Sequence, residues 1–225
     1  MGKDNQPKDR QKARDLRRRA AVRQPYQRLL IVCEGTKTEP QYLNEIRTEM
    51  RLSTAHVQVQ AGALGTEPLR LVEYAEHLFG HGDRPLGIAP RAFDQIYVVF
   101  DRDDHATYHA ALAKAATLNG RLTNDEHKRI QFEAIASVPC FELWLLLHFV
   151  DAHAPLHRNE VYEMLTQHLP DYAKGQGGHW AATKDRREIA HLRAAVRAAA
   201  TTAHDGAEPF TDMHRLVSLL IHLKD

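Results

Sequence analysis

Between residues 28 and 150 the apolar positions fall into short unbroken runs, separated by stretches with helical spacing. Leu29–Cys33 is one such run; it stops sharply at Glu34-Gly35, the profile of a central parallel strand. Thr38, ahead of Glu39-Pro40, predicts a capped helix that carries Tyr42, Leu43 and Ile46 on one face to about Met50. His56–Gln60 alternates apolar with polar residues and predicts a second strand. Thr66-Glu67-Pro68 opens another helix, with Leu71, Tyr74, Leu78 and Phe79 on its apolar side, and residues 80–90 read as a loop. Asp94–Phe100 is β-branched and aromatic, a third strand that ends abruptly in Asp101-Arg102-Asp103-Asp104-His105. An alanine-rich helix is predicted over Thr107–Leu118, a fourth strand over Arg129–Ala136 and an apolar helix over Phe141–Val150. Further helical spacing covers Asn159–His168, Thr183–Ala200 and Thr211–Leu223, and Gly175-Gln176-Gly177-Gly178 forms a glycine-rich loop among them.

This alternation predicts an α/β fold: a four-stranded, mainly parallel sheet flanked by helices, with a helical C-terminal portion. The organisation expected is an arm over 1–26, a core over 27–150 and a helical extension of the same domain over 151–225.

Charge adds an asymmetry to this picture. Residues 1–28 hold ten Lys or Arg against three Asp, a balance of +7, whereas the whole chain is only +1. The arm, including Arg17, Arg18 and Arg19, is either a polyanion-binding tail or a merely solubilising one. No stretch reaches the roughly 20 apolar residues of a membrane helix, and the basic, polar N-terminus has no apolar segment of a secretory signal. Two cysteines more than a hundred positions apart make neither zinc spacing nor a disulfide framework. A cytoplasmic protein with no membrane partner is expected.

Chemistry enters where the strands end. Glu34 follows the first strand, and Asp101 and Asp103 follow the third. Ligands of open α/β sheets gather outside the carboxyl ends of the strands, so neighbouring first and third strands would bring these three acids into one crevice. Hard oxygen donors without thiolate suit Mg²⁺ or Mn²⁺, which would also relieve their mutual repulsion. The alternative is that each acid merely caps a helix or sits in a solvated turn. Glu142, at a helix start after the fourth strand, is either a further ligand or a first-turn acid favoured by the helix dipole. Lys37 and Lys174 are candidate phosphate contacts or ordinary surface lysines. His105 and His109 have a four-residue spacing that zinc ligands use, but no His-Glu-x-x-His surrounds them; His105 could instead support a ligand from behind. Trp144 and Cys33 read as core. The glycine-rich loop has no Gly-Lys-Ser/Thr ending, so ATP hydrolysis by this chain is not expected.

The segments "LIVCEGTKTEPQYL", "VVFDRDDH" and "VPCFELWLLLHF" together resemble the RloB-like family of prokaryotic defence-associated proteins. The resemblance spans roughly 28–150 and continues weakly through "YAKG" and "TDMHRLVSLL". It implies a Toprim-type catalytic domain whose single glutamate falls on Glu34 and whose Asp-x-Asp falls on Asp101 and Asp103. Toprim relatives include nucleases, primases and topoisomerases; the chain has no zinc-binding cysteines of a primase and is too short for topoisomerase gates. The expectation is a Mg²⁺-dependent nuclease of an anti-phage, abortive-infection system, cutting DNA or RNA, tRNA included. Glu34, Asp101 and Asp103 would hold metal, with Glu142 assisting. The resemblance also implies an ATPase partner, hence the rival expectation of a non-catalytic nucleic-acid-binding or regulatory subunit. A weaker third expectation is phosphotransfer on a small nucleotide.

Overall fold

A computed structural model describes residues 27–62, 67–204 and 209–225 of the chain. Strand β1 (Leu29–Cys33) forms where five apolar residues succeed one another, and all five are completely buried. Side chains on a strand alternate between faces, so Leu29, Ile31 and Cys33 enter one apolar cluster while Leu30 and Val32 enter the other. Burying each of these side chains stabilises the fold by about 1.5–3 kcal/mol. β1 lies between β2 (Val57–Ala61) and β3 (Gln95–Asp101), and β4 (Gln131–Val138) lies beyond β3, all parallel. A fifth strand, β5 (Phe210–Thr211), pairs antiparallel with β4 and completes the order β2-β1-β3-β4-β5.

Helices cover both faces. α1 (Thr38–Glu49) contributes Tyr42, Leu43 and Ile46 to one cluster. The same cluster takes in α4 (Glu142–Leu146), α5 (Arg158–His168), α6 (His179–Thr183), α7 (Arg187–Ala200) and α8 (Met213–His222). On the opposite face α2 (Pro68–His81) and α3 (Tyr108–Leu118) cover β1, β3 and β4. Trp144 and Cys33 are core residues, as expected. Among the described residues no helix is long and apolar enough to cross a membrane.

Several boundaries differ from the sequence reading, each for a local reason. The third strand runs one residue further and the fourth two, because Asp101 pairs with Ser137 in one ladder and Val138 with Phe210 in the next. Asp101 is thus the last residue of β3 rather than the first beyond it. Thr38 does not cap α1: it lies inside the helix, and its hydroxyl accepts from the Gly175 N–H at 3.0 Å. α2 continues through Gly80 to His81. The apolar stretch to Val150 is helical only over Glu142–Leu146, and beyond it Arg193 Nη1 donates to the Leu147 carbonyl at 2.7 Å. Of the helix expected over Thr183–Ala200, Thr183 instead ends α6, residues Lys184–Arg186 form a 3₁₀ turn, and α7 begins at Arg187. Thr211 belongs to β5, with α8 starting at Met213. Arg17, Arg18 and Arg19 lie outside the described residues.

Candidate metal centre

Strand order reverses direction at β1, whose neighbours β2 and β3 lie on opposite sides, and such a switch point opens a crevice at the carboxyl ends of the strands. A cleft of about 290 Å³ sits there. Its lining includes Glu34, Glu39, Asp101, Asp103 and Glu142, together with Lys37, Arg158 and Lys174. Glu34, Asp101, Asp103, Glu142, Lys37 and Lys174, named from sequence on separate segments, therefore share one space.

β1 and β3 fix the first acids. The Glu34 N–H donates to the Val99 carbonyl at 2.9 Å, which carries the β1–β3 ladder one step past the strand. The Glu34 carboxylate turns back: Oε2 accepts from the Asp101 N–H at 3.0 Å, and Oε1 lies 3.0 Å from His105 Nε2. Burial pushes the Glu34 carboxyl above its ordinary pKa, and the Asp101 N–H and His105 offset this only in part. His105 also reaches Glu67, at 3.6 Å, and precedes α3 instead of sharing a helix face with His109. The His109 ring lies edge-on against Tyr108.

Asp103 sits in a turn with φ of 35°, in the left-handed region. Its Oδ2 accepts from Arg158 Nη1 at 2.6 Å, while its Oδ1 is buried without a hydrogen-bond partner among the described residues. Burial raises the Asp103 carboxyl, and Arg158 works against that rise. Glu142, 3% exposed, is better satisfied. Lys174 Nζ lies 2.9 Å from its Oε1, and the Tyr172 hydroxyl donates to the same oxygen at 2.8 Å. Burial acts to raise Glu142, but Lys174 and the hydrogen bonds outweigh it and hold the carboxyl below its usual value.

Glu39 is the site residue that the sequence reading missed. It appeared there only as a first-turn neighbour of Pro40, yet it is 8% exposed and faces the cleft. Its pKa is pushed up to about 7, by burial first and then by Glu142 and Glu34. Arg158 and Tyr172 were missed as well, since nothing local in sequence ties them to Asp103 or Glu142. Asp101 feels the whole cluster: burial, followed by Glu39, Glu142, Glu34 and Asp103, pushes its carboxyl well above the ordinary range.

Among the described residues, no three His, Cys, Asp or Glu side chains stand as a ready-made metal cage. In kind and charge, however, the donors fit a hard divalent cation. Five carboxylates face three Lys or Arg side chains, a formal excess of two negative charges. Asp103 Oδ1 is an orphaned buried acceptor, and such atoms in native sites call for a partner. The cluster sheds its excess either by binding protons, as the raised Asp101 and Glu39 indicate, or by binding one divalent ion.

No curated protein and no solved structure matches the chain. A family model described as RloB-like protein matches residues 29–220, which takes in every cleft residue named above and all five strands. The chain belongs to the RloB-like protein family.

Proposed function

We propose that the cleft binds Mg²⁺ or Mn²⁺ and that the protein is a metal-dependent phosphodiesterase acting on nucleic acid. The observation that carries this reading is the convergence of Glu34, Asp101 and Asp103 with Glu39 and Glu142 at the carboxyl end of a parallel sheet. Glu34, Asp101 and Asp103 would hold the ion, which when bound supplies Lewis acidity and charge neutralisation at a scissile phosphate. His105 and the Asp101 N–H fix the Glu34 carboxylate, so one donor is oriented before any ligand arrives. Glu39 and Glu142 border the same space and would orient water near the phosphate. Lys37 stands exposed at the rim, where it would meet the phosphate backbone.

Cleavage of DNA, tRNA and other RNA by wild type and Asp101→Asn, in Mg²⁺ and in Mn²⁺, tests the reading. Loss of about 100-fold or more in the variant is expected, on the scale of removing one charge-stabilising group from an active site. Equal activity in the two proteins overturns it.

A second reading draws on the internal pairs that already engage three of the acids: Glu34 with His105, Asp103 with Arg158, and Glu142 with Lys174. These suit a non-catalytic nucleic-acid-binding subunit of a defence complex with an ATPase partner. Under that reading Asp101→Asn binds nucleic acid like wild type and neither protein cleaves.

A further inference from the structure

Two cations reach into the cleft from the C-terminal third of the chain: one engages Asp103, a proposed ligand of the ion, and the other engages Glu142, which borders the same space. Arg158, in the first turn of α5, holds Asp103 at 2.6 Å; Lys174, beside the glycine-rich loop, holds Glu142 at 2.9 Å. In each pair the acid is far more enclosed than the cation. The Arg158 and Lys174 side chains are 42% and 49% exposed, against 13% for Asp103 and 4% for Glu142. An exposed, long and flexible cation can leave such a pair for solvent, whereas the buried acid cannot follow it. The acids therefore stay in place while their partners are exchangeable. Lys37 supplies a third positive charge on the same rim, and its aliphatic chain lies against Gly175, next to Lys174.

From this geometry we infer that Arg158 and Lys174 are exchange cations: they neutralise Asp103 and Glu142 in the metal-free protein and are displaced toward the rim when a divalent ion binds. There, beside Lys37, they take a phosphate of the nucleic acid backbone. The inference rests on the proposed metal site and adds a coupling to it. A divalent ion among these carboxylates competes with Arg158 and Lys174 for the same negative charge, so its arrival weakens the attraction that holds both cations inward. Metal binding and phosphate binding then reinforce one another through the same two side chains, because the ion frees the groups that the phosphate needs. Guanidinium suits this second role, since its fork matches a phosphate as well as a carboxylate.

The coupling predicts effects of opposite sign from one substitution. Arg158→Ala and Lys174→Ala each delete a cation that competes with the metal, so each should bind Mn²⁺ about 5-fold more tightly than wild type, measured by calorimetric titration. The same variants should bind a short fluorescent phosphorothioate oligonucleotide several-fold more weakly in the presence of Mn²⁺, whereas without Mn²⁺ they should differ little from wild type. Arg158→Lys should restore part of the oligonucleotide affinity. Both positions are surface-exposed, and a thermal melt checks that each variant folds. Variants that bind Mn²⁺ no more tightly than wild type overturn the exchange while leaving the metal site standing. Tighter Mn²⁺ with unchanged oligonucleotide binding overturns the phosphate role. Failure of wild type to bind Mn²⁺ at all overturns the metal site itself, and the exchange with it.

Discussion

At Gly35 the space beside Cα is already taken: an added Cβ would lie 1.9 Å from Glu39 Oε2. The glycine that follows Glu34 is thus what allows the Glu39 carboxylate to fold over the turn and enter the cleft. Gly35→Ala should expel Glu39 from its place, weakening Mn²⁺ binding about 10-fold with the sheet intact. A calorimetric titration beside a far-UV spectrum checks this, and unaltered affinity would show that Glu39 has no part in the site. The residue scale is also where legibility in sequence was most uneven. Glu34 and Asp101 could be read because each ends an apolar run, so the chain itself marks the point at which it leaves the core. Glu39 carries no such mark: in a helix's first turn an acid is ordinary, and only the packing over Gly35 shows that it turns inward.

Among the elements, α1 does more than cover the sheet. Thr38 accepts from the Gly175 N–H, and Glu45 accepts from the N–H groups of Gly178 and Trp180 at 2.5 and 2.9 Å. Glu49 takes the Trp180 indole N–H at 2.8 Å and pairs with Lys184. One helix face thus gathers the loop that carries Lys174 and sets how far that lysine reaches. Glu45→Ala removes the acceptor of two backbone donors, one of them open to water, and should cost about 0.5–1.5 kcal/mol, read from a denaturant midpoint. An unchanged midpoint would mean that the loop is held elsewhere. The strands and long helices were legible because periodicity over five or more residues is a strong signal. β5 was not: two residues, Phe210-Thr211, have no period, and their strand character comes entirely from pairing with Ser137 and Val138. The helix after Pro139 was overextended because the residues from Phe141 to Leu147 are all buried, so no polar face marks its end.

For the whole molecule, sheet topology converts distant sequence into one site. Parallel β1 and β3 place Glu34 against Asp101 across 67 positions, and the connection through α4 and α5 brings Glu142 and Arg158 to the same edge. Such long-range pairs as Asp103 with Arg158 have no local signature, which is why Arg158 was missed although Lys37 and Lys174 were named. The fold also carries a pH-dependent strain away from the cleft. His148 is 1% exposed; burial, with Arg193 nearby, holds its pKa down at about 4 despite hydrogen bonds to the Trp144 and Leu145 carbonyls. The unfolded chain takes up this proton near 6.5 and the folded chain only near 4, so His148 weakens the fold as pH falls through that window. His148→Gln removes this penalty. Between pH 7 and pH 4 the stability of the variant should gain on wild type by up to about 3 kcal/mol, whatever the substitution costs at neutral pH. Parallel stability curves from denaturant melts would contradict it.

The central claim is that the carboxylate cleft is a divalent-metal site, and anomalous diffraction from a crystal soaked in Mn²⁺ tests it most directly. The account predicts one strong manganese peak bounded by Glu34, Asp101 and Asp103, with Arg158 drawn away from Asp103. A cleft without manganese, in which Arg158 and Lys174 still hold Asp103 and Glu142 at saturating Mn²⁺, would contradict it.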